Sequence, residues 1–326
     1  MTSMLSYRGP WQYLLLLLAL IVPFAVNGAP SVAYITNQGD NTVSVIDLAS
    51  GKAFKSIPVG VKPVGVAIAP KAHRVFITNV DSSNITVIDS QTQEVLYHLP
   101  AGSSPVGIAA KADGSRLYVA DWFSDRILAL DSITGKQLYA IDISKAPAGL
   151  LLSRDERMLY VANRDSNDVA WIDASNGKIL HRTTVGTHPF GLALSQDGKR
   201  LYAVNVWSDS VSVIDTANRQ VVATIPVGDH PYCATLNPAG DRLYVTNTQG
   251  DSLSVIDTKT SKTIATVEVG ATPEGVAYSA AMNRIYVASW MENEVTVIDA
   301  ATNKVIAHIP TGKESRAFGP FILENR

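Results

Sequence analysis

His188 and His230 stand 42 residues apart, each immediately before a proline of a recurring Pro-x-Gly-like motif. Phe190, Tyr232, Glu274 and Arg316 occupy the position two residues further on in four successive copies. An imidazole near a guanidinium is equipment for general acid–base chemistry with anion stabilisation. A carboxylate and a guanidinium in neighbouring copies suit a zwitterionic or bidentate group, and they equally suit each other. A metal or haem would need three or four converging ligands, and two histidines at this separation match no recognised ligand spacing, so the sequence names no metal and no cofactor. A second set of variable positions carries Trp122 with Phe123, Arg164, Trp207, and Trp290 with Met291. Aromatic rings with one wet edge are typical of binding surfaces, although large rings also fill gaps in a core.

These residues are departures from a repeat. Segments ending at Asn37, Asn79, Asp121, Asn163, Asn205, Asn247 and Ser289 read as short apolar strands of the LYVTN type, every step being 42 residues. A second strand, of the VSVID type, ends at Asp47, Asp89, Asp131, Asp173, Asp215, Asp257 and Asp299 with the same spacing. A third anchor is the proline at 63, 105, 147, 189, 231 and 273, with Ser315 in its place in the last copy. Runs rich in Val, Ile, Thr and Tyr, bounded by Gly, Pro, Asn and Asp, are strands, and no stretch holds a helical period. Four strands in each unit predict an all-β, seven-bladed propeller with four antiparallel strands per blade. The phase of the repeat predicts closure of the ring by a C-terminal inner strand, 316–322, paired with the N-terminal strands. The repeated Asn and Asp residues are read as turn-forming, since seven equivalent carboxylates are not individually tuned for catalysis.

The LYVTN, VSVID, IPVG and Pro-x-Gly signatures resemble the YVTN β-propeller repeat family, including YncE-like exported proteins. The resemblance covers about nine tenths of the chain, and it implies the fold far more strongly than an activity. For YncE-like members it implies DNA binding as a proposal. With a net charge of −2 and no Lys/Arg-rich run, the chain offers no basic footprint for nucleic acid.

Residues 1–28 have a signal-peptide layout: a short, positively charged start, an apolar stretch through Val26 of about 13 to 16 residues, and small residues at Gly28 and Ala29. That stretch is short of the roughly 20 residues needed to cross a bilayer. Residues 29–326 are the propeller. The expected compartment is the periplasm or the exterior, with no membrane span after cleavage. Cys233 is the only cysteine, which excludes an intramolecular disulfide, and as the replacement of a repeat glycine it reads as a small buried filler.

No nucleophile elbow, phosphate loop, dinucleotide fingerprint or zinc-protease motif is present, and no unit carries an insertion. The leading expectation is a monomeric, non-catalytic binding protein of the cell envelope. It would take a small molecule, a peptide or an envelope protein at the channel mouth through His188, Phe190, His230, Tyr232, Glu274, Arg316, Trp122, Trp207, Trp290 and Arg164. The alternatives are a lactonase-, lyase- or hydrolase-like enzyme using His188 or His230 as base and Arg316 as anion stabiliser, a metal- or haem-binding protein, or a structural surface-layer module.

Overall fold

The computed structural model describes residues 1–2 and 31–324, so the signal-peptide expectation lies outside the described residues. The β-rich runs form seven antiparallel sheets arranged as blades around a central axis. Counting from the unit that begins at Pro63, the fourth blade is typical. Its strands Pro189–Leu194, Arg200–Asn205, Ser210–Asp215 and Gln220–Pro226 run from the axis outward. The two middle strands are buried almost throughout, because each blade is covered on both faces by its neighbours. The outer strand buries little beyond Ile225.

Each inner strand has a β-bulge directly after its proline: Pro189 pairs with Asn205, and pairing resumes only at Leu192 with Ala203. The bulge brings the glycine of the motif against the next blade. A Cβ at Gly107 would run into the Ala148 carbonyl oxygen, and one at Gly149 into that of Phe190. Where the LYVTN threonine is present it bridges the same seam. Thr78 Oγ1 accepts from the Gly65 N–H and donates to the Val106 carbonyl, both at 2.8 Å. Cys233 takes the glycine position in the fifth blade and is buried there, facing a sixth inner strand that resumes pairing one residue earlier, at Gly275.

The strand-end asparagines tie loops together. Asn37 Nδ2 donates to Thr42 Oγ1 and Ser44 Oγ, both at 2.9 Å, and its Oδ1 accepts from the Gly312 N–H. The VSVID aspartates hold the turns after them, as Asp89 Oδ1 does for the Gln91 and Thr92 N–H groups. These hydrogen bonds pull the carboxyls of Asp89, Asp131, Asp173, Asp215, Asp257 and Asp299 below the ordinary aspartate value.

The ring closes as the repeat phase predicts, in two pieces instead of one strand. Ser315–Arg316 pairs with Val32–Asn37 at Thr36 and Asn37, and Ile322–Leu323 pairs with it at Val32 and Ala33. Between them Gly319 adopts a left-handed φ of 117° and Pro320 has no N–H to give to a ladder. Phe318 bridges instead to the first blade at Gly65.

Two outcomes test the close packing and the turn chemistry. Gly107→Ala should lower unfolding free energy by at least about 3 kcal/mol through overpacking, against about 1 kcal/mol for Gly198→Ala, whose left-handed turn has open space around it. Chemical denaturation of the two variants decides between them. Because the turn aspartates titrate lower in the fold than in the unfolded chain, their contribution is in place above about pH 4 and is lost as pH falls further. The aspartates' contribution to the thermal midpoint should therefore be level from about pH 8 to 5 and drop below about pH 4.

Candidate functional site

The bulge turns the residue after each proline toward the axis. Around the ring these are Val64, Val106, Ala148, Phe190, Tyr232, Glu274 and Arg316, small and apolar on one side and large or charged on the other. The large ones meet. Phe190 stacks on Tyr232 with ring centroids 4.1 Å apart, and Phe318 from the closing segment lies 4.7 Å from Phe190. Arg316 Nε donates to Glu274 Oε2 at 2.5 Å, and its Nη2 donates to the Tyr232 hydroxyl at 3.1 Å. Phe190 is only 4 % exposed and Glu274 9 %. Together these side chains seal the mouth of the channel.

Burial pushes the Glu274 carboxyl upward, and the Arg316 guanidinium opposes that rise. For Arg316, desolvation works against the charge, but the Glu274 carboxylate outweighs it and holds the guanidinium cationic. Each charge is thus committed to the other.

Outside the plug runs an arc of rings and cations, positioned by three single-turn 3₁₀ segments, Trp122–Ser124, Arg164–Ser166 and Val206–Ser208. The Arg164 guanidinium lies 5.7 Å from the Trp122 ring centre and 5.8 Å from that of Trp207. Its Nη1 donates to Asp165 Oδ1 at 2.6 Å. The His188 ring lies tilted against Trp207 with centroids 3.8 Å apart, and Trp122 reaches inward to Phe190 at 5.8 Å. Desolvation, aided by the neighbouring Arg164 charge, lowers the His188 pKa and favours neutral imidazole. Trp207 is 59 % exposed and Phe123 82 %.

Two expected members stand apart. His230 pairs through Nδ1 with Asp229 Oδ1 at 2.6 Å, and among the described residues it shares no hydrogen bond with Arg316. Trp290 shares no ring contact with the arc among the described residues, and its indole N–H is buried without a partner. The ten predicted residues therefore divide into a sealed plug of Phe190, Tyr232, Glu274 and Arg316, an arc of Trp122, Arg164, His188 and Trp207, and the separate His230 and Trp290. The acid–base pairing of a histidine with Arg316 is not assembled, because the guanidinium is already bound by Glu274 and Tyr232.

Asp209, Asp229 and His230 are the group among the described residues whose ligand atoms lie close enough together, within 4.8 Å, to hold a metal. Asp209 is already engaged in holding the backbone, its Oδ1 accepting the His230 N–H at 2.9 Å. Asn41, Asp125, Asn167, Asp251 and Asn293 do the same for the residue before the next proline, or before Ser315. The sequence pattern alone did not single out this staple column, although its 42-residue spacing is visible there. Nor did it single out Phe318, whose signal is an aromatic ring where other units carry an aliphatic residue or alanine.

Residues 97–239 match the family model described as YNCE-like beta-propeller. That match spans less than half of the chain, and it falls within the seven-bladed β-propeller described above. No curated protein matches the chain. Among solved structures the ring is similar to Kuenenia stuttgartiensis hydrazine synthase, with a TM-score of 0.72 and 21% identity over 78% of this chain and 88% of that one. It is also similar to a functionally unknown protein from Desulfotomaculum acetoxidans DSM 771, with a TM-score of 0.76 and 15% identity over 89% of this chain and 99% of that one. A third similarity is to the dihydro-heme d1 dehydrogenase NirN in complex with DHE, with a TM-score of 0.68 and 14% identity over 90% and 76% of the respective chains. At these identities the likeness is one of fold.

If the plug is a committed ion pair, Glu274→Ala should cost about 3 to 5 kcal/mol by leaving a buried guanidinium unpaired. Glu274→Leu combined with Arg316→Met should recover most of that loss. Urea melts of the single and double variants measure both effects; a harmless Glu274→Ala would show that the pair is not buried as described.

Proposed function

We propose that the chain is an exported, non-catalytic binding protein of the cell envelope that recognises a protein or peptide partner on its loop-bearing face. The observation that carries this reading is the exposed Trp207 beside an Arg164 guanidinium held between two indole rings. Tryptophan and arginine are the residue types that dominate interface energetics, and an arginine already fixed by flanking rings and Asp165 loses little freedom on binding. A sealed mouth favours contact across a face over entry of a small ligand from this side. Export rests on the apolar, signal-like residues 1–28.

Full-length protein produced with its own N-terminus in its native host, and purified from the envelope, tests both parts. Intact mass should show cleavage near residue 28. A protein or peptide should co-purify with the wild type, and Trp207→Ala with Arg164→Ala should weaken its retention by at least about tenfold at an unchanged thermal midpoint. Retention of a partner indifferent to both substitutions, or of none, would sink the reading of the face, and an unprocessed cytoplasmic chain would sink export.

A further inference from the structure

The other end of the axis is open. A cavity of about 440 Å³ runs inward from the face that carries the turns between first and second strands. The half-buried Leu150, Leu192 and Leu236 line its walls, and Phe318 and Cys233 stand at its inner end. Glu274 and Arg316 do not line it, so the two ends of the axis are chemically separate. At the opening lies Arg154, in the turn after the third inner strand. Its Nη2 donates to the Leu194 carbonyl oxygen at 3.1 Å, and among the described residues it makes no ion pair. That contact holds the guanidinium at the opening and leaves its other N–H groups free.

We propose that this well binds a small amphipathic organic acid, apolar body inward and anionic end on Arg154. The volume falls in the range that accepts a ligand of drug-like size. Leucine walls and a phenylalanine floor favour an apolar body, whose entry removes both surfaces from water. Nothing charged lines the inner end, so a charged group placed there would lose its hydration without compensation. The rim supplies the matching charge, since a guanidinium with free N–H groups pairs well with a carboxylate or sulfonate. This site is distinct from the loop-bearing face, and neither depends on the other.

The test uses 8-anilinonaphthalene-1-sulfonate, an aromatic anion of suitable shape, with the full chain. Its fluorescence should rise saturably at one equivalent per chain and fall when decanoate is added. Arg154→Gln should weaken binding about tenfold, the loss of one charge-assisted contact. Leu192→Trp should abolish it by filling the well. Since Cys233 is the only thiol and stands at the inner end, a second measurement works on the unaltered chain. The rate at which methyl methanethiosulfonate adds to Cys233, read by intact mass, should fall several-fold with the probe bound. Absence of saturable fluorescence, indifference to Arg154→Gln, or equal labelling rates with and without probe would overturn the proposal.

Discussion

In the five units that keep the glycine of the Pro-x-Gly motif, Gly65, Gly107, Gly149, Gly191 and Gly275, the inner strands approach so closely that a Cβ there would meet a backbone carbonyl of the neighbouring blade. Much else follows from that contact. A bulge is needed to bring the backbone in, and the bulge turns the preceding residue toward the axis. In blades one to three that residue is Val64, Val106 or Ala148, and the ring is bland there. In the other units Phe190, Tyr232, Glu274 and Arg316 fill the axis and meet one another.

What the ring does with those four residues is settled by solvation. A carboxylate and a guanidinium brought to a dry axis are stable only as a pair, and the Tyr232 hydroxyl satisfies a further guanidinium N–H. Side chains so committed have little left to offer a ligand, which leaves the arc of Trp122, Arg164, Trp207 and His188 as the surface on which the proposed recognition rests. It also leaves the opposite end of the axis, walled by leucines, as the place where a small molecule meets unfilled space.

The fold was legible because a 42-residue period survives any local ambiguity: seven copies of one strand pattern average out the noise of each. Even the seam could be read, from the phase of the repeat, although not its break at Gly319 and Pro320. The site was legible only as columns. Equivalent positions in a repeat are near one another in height but not in space, so His188 and His230, identical in register, face different surroundings: Trp207 for one and Asp229 for the other. Whether a side chain at the axis points into an opening or closes it depends on how its neighbours fill the centre, and Phe318 decides that from a segment where the repeat breaks down. The well was missed because its leucines look like ordinary core in a strand that is apolar throughout.

The closing segment has a consequence for assembly. It holds the ring shut through four residue pairs with Val32–Asn37 and also carries Arg316 and Phe318. In chain order it follows six complete blades, so the partner of Glu274 and Tyr232 comes from the same segment that latches the ring. The latch therefore supplies both the counter-charge of Glu274 and the Phe318 ring at the inner end of the axial cavity. Closure of the circle and completion of the axial plug thus rest on the same few residues, so an unlatched ring would also be an unplugged one.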